Sequence, residues 1–261
     1  MLQIDLTGKN AIVTGAANGL NKCIALNFAQ AGANVVVADF DFQGGKNTAC
    51  EIQAFGRKSF AYKIDVRNYE EFKALMAETE KQFGSIEILV NGAGIGGMFP
   101  LVDFEVGLIE RMIDINLKGV IWGCKAVLPY MIAQKYGKIV NISSVAARLL
   151  KPGTSIYGSA KAGVIALTAA VAQEVAADNI NINAVLPGII RTNMWEETLE
   201  EWAPGDKEKQ DALFKDFCAV NIPMQRPQET QDIADMVLFL CSEAAKNVTG
   251  QNMAVDGGST Y

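Results

Sequence analysis

Tyr157 and Lys161 stand four residues apart in the segment YGSAK, a spacing that puts a phenol and an ammonium on one face of a helix. A nearby cation stabilises phenolate, so the pair predicts a tyrosine whose pKa falls from about 10 toward working pH, fit for general acid/base work. Such a pair recurs by chance, and its meaning depends on its company. Among 261 residues there is no histidine. That removes Ser-His-Asp hydrolysis, His-ligated zinc and imidazole proton transfer together. Carboxylate, tyrosine, lysine and cysteine remain. The five cysteines, Cys23, Cys50, Cys124, Cys218 and Cys241, are scattered, odd in number and form no CxxC pair. They point to reduced thiols in a cytoplasmic setting, with no metal site and no disulfide framework.

A second group of residues suits a phosphate. The run Thr14-Gly15-Ala16-Ala17-Asn18-Gly19-Leu20-Asn21 joins a short apolar strand to a helical pattern. A glycine turn there lets backbone N–H groups approach a pyrophosphate, and the helix N-terminus favours negative charge. Asp39 closes the next strand, in VVVAD. A carboxylate at that point accepts hydrogen bonds from ribose hydroxyls and repels a 2′-phosphate. Its neighbours Asn18 and Phe40 carry no cation, so NAD(H) is expected in preference to NADP(H). Asp65 and Val66 follow the third strand, and Asn91, Gly92, Ala93 and Gly94 follow the fourth. The first pair is expected to border the adenine, with a helix cap as the alternative for Asp65; the second group is expected to line the cofactor groove.

These residues need a frame that gathers strand ends at one edge. Short β-branched runs at 11–14, 34–38, 59–64, 86–90, 138–142, 180–185 and 253–255 alternate with helical patterns. Several are apolar on both faces, as in a parallel sheet covered by helices. The repeat predicts one doubly wound α/β domain over residues 1–261, Rossmann-like, with a seven-stranded, mainly parallel sheet. Long helices are expected at 103–134 and 155–178. Residues 191–227 break the rhythm with Trp195, Trp202, a Pro204-Gly205 turn and many charges. They read either as an amphipathic helix packed on the body or as a lid over the substrate. The net charge of −6 argues against nucleic acid or anionic membrane. The N-terminal residues lack a signal-peptide pattern, and the apolar 164–177 stretch is too short to span a bilayer.

The ordered set TGAANG, NGAG, Asn116, Ser144, YGSAK and PGIIRT resembles the short-chain dehydrogenase/reductase family from Leu6 to Gly258, through the ending TGQNMAVDGG. The resemblance implies a catalytic tetrad of Asn116, Ser144, Tyr157 and Lys161. Ser144 is chosen over Ser143 because the family places its serine thirteen residues before the tyrosine. It implies that Ser144 hydrogen-bonds the substrate oxygen and Tyr157 exchanges its proton. Lys161 binds the nicotinamide ribose and tunes Tyr157, and Asn116 holds a water of a proton relay. Pro187, Gly188, Ile190 and Thr192 resemble the segment that seats the carboxamide. The implied reaction is hydride transfer between NAD(H) and a secondary alcohol or ketone. A homotetramer or dimer is implied as well, built partly by the two long helices.

Two positions depart from the pattern. Asn21 replaces the third turn glycine, which predicts weaker cofactor binding or a shifted helix. Gly92 replaces the second asparagine of NNAG, a milder change. For the substrate, Met98, Phe99, Leu149, Leu150, Met194 and Trp195 suggest an apolar pocket suited to a hydroxysteroid or bile-acid-like alcohol. The segments VIWGCKA and PGIIRTNMW also resemble small-diol, acetoin and sugar-alcohol dehydrogenases. Two further alternatives are reduction of a carrier-bound β-ketoacyl group, for which Arg148 and Lys151 are the available cations, and a non-catalytic nucleotide-sensing scaffold.

Overall fold

The structure is a computed structural model that describes residues 4–191 and 193–260, with backbone alone at Asn193, Met194 and Glu197. All seven expected strands are present: β1 Asn10–Thr14, β2 Asn34–Asp39, β3 Ser59–Lys63, β4 Ile88–Asn91, β5 Gly137–Ile142, β6 Ile180–Pro187 and β7 Asn252–Val255. They form one sheet in the order β3-β2-β1-β4-β5-β6-β7, and every pairing is parallel. The chain moves outward from β1 to β3, then returns to β4 beside β1. That reversal opens a crevice at the carboxyl ends of β1 and β4, where ligands bind in such sheets.

Helices α1 Gly19–Gln30, α2 Phe42–Ala54, α3 Tyr69–Phe83, α4 Val106–Ile113, α5 Gly119–Gln134, α6 Ser155–Val175, α7 Asn193–Trp202, α8 Lys207–Asn221 and α9 Thr230–Cys241 connect or flank the strands. The inner strands β1, β2, β4, β5 and β6 are buried on both faces, to which their side chains alternate, and the edge strands β3 and β7 are half-buried. Val13, Val35, Val37 and Val90 pack with Phe28 of α1, Ile52 of α2 and Val237 of α9. Ile12, Val36, Leu89 and Ile139 pack on the opposite side with Phe72 and Met76 of α3, Val127 of α5 and Val164 of α6.

Two expectations are corrected here. The helix read across 103–134 begins at Val106, after a 3₁₀ turn Leu101–Asp103, and runs through α4 and α5 with a π-helical turn Asp114–Lys118 between them. The π turn carries Asn116. Meanwhile α6 and the 3₁₀ turn after it run from Ser155 to Asp178, long and apolar enough by length and composition to cross a bilayer. The 164–177 stretch alone is too short, but its helix is not. This helix packs along β6 and buries Lys161, Val164, Thr168 and Ala172, so its apolar composition serves the core.

The irregular region leaves the body and returns to it at one point. Ile190 and Gln228 form a parallel bridge, and Gln228 N–H donates to the Ile189 carbonyl at 2.9 Å. Between them α7 and α8 pack through Leu199, Phe214, Cys218 and Ile222. Trp195 meets Trp202, Phe214 and Phe217 with ring centroids 4.8–6.1 Å apart. Arg191 binds Glu196 at 2.5 Å and Asp211 at 2.8 Å, and Lys207 binds Glu196 at 2.8 Å. Arg191 first, then Lys207, holds the Glu196 carboxyl down at about 2.

Candidate active site

Tyr157 and Lys161 lie in the first turns of α6, beside the end of β5. The Lys161 ammonium is buried and donates to the Ile142 carbonyl at 2.8 Å. Burial pushes its pKa down to about 8. Its nitrogen is 5.8 Å from the centre of the Tyr157 ring. The expectation of a lowered tyrosine pKa does not hold in this structure. Burial raises the Tyr157 phenol above its ordinary value, and its hydrogen bond with Ser144 offsets part of that rise. Loss of water outweighs the contact with Ser144, and the Lys161 ammonium is turned toward the Ile142 carbonyl. Tyr157 is therefore a phenol that holds its proton at neutral pH.

The two serines after β5 are divided in use. Ser143 is buried and its Oγ donates to the Lys161 carbonyl at 2.9 Å, tying α6 to the strand end. Ser144 opens the turn Val145–Ala147, accepting from Ala146 N–H at 3.1 Å, and interacts with the Tyr157 phenol closely enough to lessen its rise in pKa. Ser144 is thus the serine at the phenol, and Ser143 is a support that the motif did not reveal.

Asn116 is fully buried on the π-helical turn. Its Oδ1 accepts from Ile95 N–H at 2.9 Å and its Nδ2 donates to the Ile95 carbonyl at 2.8 Å. A Cβ on Gly94 would sit 2.8 Å from Asn116 Oδ1 and 3.5 Å from Lys161 Nζ. Glycine at 94 lets the β4 loop pass between them. All four tetrad positions therefore meet around the ends of β4 and β5. A single-turn π segment that carries a site residue is a common functional irregularity.

The crevice between β1 and β4 fits a dinucleotide. Gly15 has φ +72° and faces the β4 loop, while Asn18 precedes α1 without a side-chain cap. The first N–H groups of α1 thus open toward the crevice, as a pyrophosphate requires. Asp39 accepts from Ala17 N–H at 2.8 Å and from Asp41 N–H at 2.8 Å, so it braces the turn it was expected to flank. Phe40 is exposed beside it. Asn18 and Phe40 carry no cation, as expected, but strand register brings one from β3. Lys63 pairs with Asp39 across β2 and β3, and its ammonium lies 5.7 Å from the Phe40 ring centre.

Other expected residues fall in several places. Asp65 forms a bidentate pair with Arg67, whose guanidinium holds its carboxyl low, and Asn68 is the residue that caps α3. Val66 is buried against Gly119. Asn91 is buried and donates to Asn141 at 2.9 Å, which donates to Thr168 at 2.9 Å, a polar ladder within the core. Gly92 and Ala93 N–H groups share Thr14 Oγ1. Gly188 follows Pro187 and passes so close to Gln228 and Asp256 that a Cβ would sit 2.8 Å from Asp256 Cα. Ile190 is the bridge residue, and Thr192 and the Met194 side chain lie outside the described residues. Met98, Phe99 and Leu150 are exposed, with Leu149 half-buried. Phe99 N–H donates to the Gly153 carbonyl at 3.1 Å, so these two loops meet beside the site. Trp195 belongs to the α7–α8 aromatic cluster, and its role in the structure is packing.

Residues 15–260 match the protein family described as enoyl-(acyl carrier protein) reductase. The chain is 37% identical over 253 residues to the 3-oxoacyl-[acyl-carrier-protein] reductase of Thermotoga maritima, covering 97% of this chain and 98% of that one. Carveol dehydrogenase from Mycobacterium avium, solved in complex with NAD, superposes with a TM-score of 0.92 at 31% identity, covering 98% and 99% of the two chains. NAD+-bound xylitol dehydrogenase superposes with a TM-score of 0.90 at 30% identity, covering 97% and 99%.

Proposed function

Since the chain belongs to the short-chain dehydrogenase/reductase family, we propose that this oxidoreductase reduces a 3-oxoacyl thioester to the 3-hydroxyacyl product. The observation that carries the reductive reading is the half-buried Tyr157 phenol, a proton donor raised above its ordinary pKa, set beside Ser144 and Lys161. A carbonyl oxygen placed between them receives a hydrogen bond from Ser144 and the proton from Tyr157, the stabilisation that a developing alkoxide needs. Lys161, charged below about pH 8, supplies positive charge at the same place. The nicotinamide supplies the hydride when bound. Asn116 spends both side-chain polar atoms on Ile95, so any water it holds for proton resupply binds its main chain.

The relative's name supports the thioester over the hydroxysteroid expectation. Arg148 and Lys151 stand exposed just beyond Ser144, where an anionic carrier or phosphate group would approach. The five unpaired cysteines suit a reducing cytoplasmic setting. Asp39 favours a second reading, an NAD-linked secondary-alcohol dehydrogenase, because its carboxylate stands at the ribose end of the crevice.

The test is reduction of acetoacetyl-coenzyme A with NADH and with NADPH, beside oxidation of xylitol and carveol with NAD. Turnover of the thioester at least tenfold above the alcohols in kcat/KM is expected. Turnover confined to the alcohols would replace the first reading with the second.

A further inference from the structure

Asn21 and Gly92 lie on opposite sides of the crevice, one in the first turn of α1 and one after β4. Asn21 Nδ2 donates to the Gly92 carbonyl at 2.9 Å. A Cβ on Gly92 would sit 2.5 Å from Asn21 Cγ and 2.8 Å from its Nδ2, with Oδ1 closer still. The amide therefore fills the volume that any side chain at 92 would need. Gly15 completes the contact, since a Cβ there would lie 2.8 Å from Ala93 Cα and 3.1 Å from Asn21 Nδ2. Asn21 Oδ1 is buried and has no hydrogen-bond partner. Leaving a buried acceptor unpaired costs stability, so the amide is held by shape and by one bond.

We infer that Asn21 and Gly92 form a reciprocal pair in which one amide, carried by the helix in place of the β4 loop, fixes the width of the cofactor crevice. Asn21 is thus a positioning residue for the dinucleotide. The two departures from the family pattern are a single exchange: a side chain gained at 21 and one given up at 92. Gly92 N–H and Ala93 N–H bind Thr14 at the end of β1, so the same short loop is pinned to strand β1 and helix α1 together. Moving the amide moves the start of α1 relative to that loop. The helix N-terminus that faces the pyrophosphate then moves with it. This inference rests on the reading that the crevice holds a nicotinamide dinucleotide.

A mutant cycle without any ketone tests it: N21A, G92A and N21A/G92A, each titrated with NADH and NADPH by fluorescence and melted without nucleotide. Alanine at 21 keeps the helix propensity high. N21A is expected to weaken the better-bound nucleotide about three- to tenfold, the scale of one net hydrogen bond. G92A should weaken it by about tenfold or more, because the new Cβ displaces the amide. In the N21A background the same G92A change should cost less than about twofold, a coupling of the kind that contacting residues show. Additive effects in the cycle would overturn the inference. So would single variants that lower the melting temperature yet bind nucleotide as tightly as the wild type, since that would make the pair structural alone. If G92A fails to fold while N21A/G92A folds and binds, the steric coupling is supported by that rescue.

Discussion

Tyr157 and Lys161 titrate in opposite senses from their ordinary values, the phenol raised and the ammonium lowered to about 8, and burial is the first cause of both. The consequence for pH is direct. In the reductive direction the phenol already holds its proton, so the group that limits kcat/KM on the alkaline side is Lys161. The reductive kcat/KM should stay level below about pH 8 and fall above it; a profile unchanged to pH 10 would dissociate Lys161 from the reaction. Stability should run the other way. The unfolded lysine binds a proton between about 8 and 10.5 that the folded one does not, so this group adds stability as pH rises through that window. Tyr157→Phe should lower turnover by about 10²–10⁴-fold while leaving NADH affinity within about threefold, measured by steady-state kinetics and fluorescence titration. Asp39→Ala should narrow the preference for NADH over NADPH, and an unchanged ratio would show that Asp39 only braces Ala17. That Asn116, Ser144, Tyr157 and Lys161 come together was legible from the residues and their resemblance to a family. The direction of the tyrosine shift was not, because spacing shows which charges are neighbours and nothing about how much water each has lost.

At the scale of elements, the strands were readable almost to the residue because burial on both faces leaves an apolar run with few alternatives. The helix across 103–134 starts at Val106 and carries a π turn that was not foreseen. Nothing in the letters DINLK marks a π turn; it arises because Asn116 reaches across to both polar groups of Ile95, a contact between distant parts of the chain. Trp195 shows the same limit in another form. An aromatic at helical spacing suits a substrate wall or a small core, and here Phe214 and Phe217 of the following helix decide for the core. Trp195→Ala should therefore loosen α7 against α8, at a local cost of up to about 3 kcal/mol. Limited proteolysis should then cut within 193–221 sooner, with the main thermal transition little changed. Equal protease resistance would mean that Leu199, Phe214 and the ion pairs around Arg191 hold the two helices without Trp195.

For the molecule as a whole, the crevice and its chemistry depend on one topological fact. The chain reverses direction after β3, and β4 comes to lie beside β1, which brings the phosphate turn, the β4 loop and the tetrad to a single edge. Association is a separate matter. Trp122, Leu128 and Tyr130 of α5 and Leu167 and Val171 of α6 are half-buried apolar residues on helices whose other sides already face the core. A second copy would cover them. Light scattering during gel filtration should give a mass that is a multiple of 28.1 kDa; a lone monomer at micromolar concentration would refute self-association through these helices.

The bridge between Ile190 and Gln228 brings the two ends of the excursion from 191 to 227 together, while Asn221 and Met224 tie its far part to Lys151, Ser259 and Gly257. Because its two ends are neighbours, the segment can change in length without changing the path of the chain through the sheet. Exchange at those two positions would replace α7 and α8 while the order of the sheet stays the same. The crevice, the phenol and the ammonium all lie outside the exchanged segment.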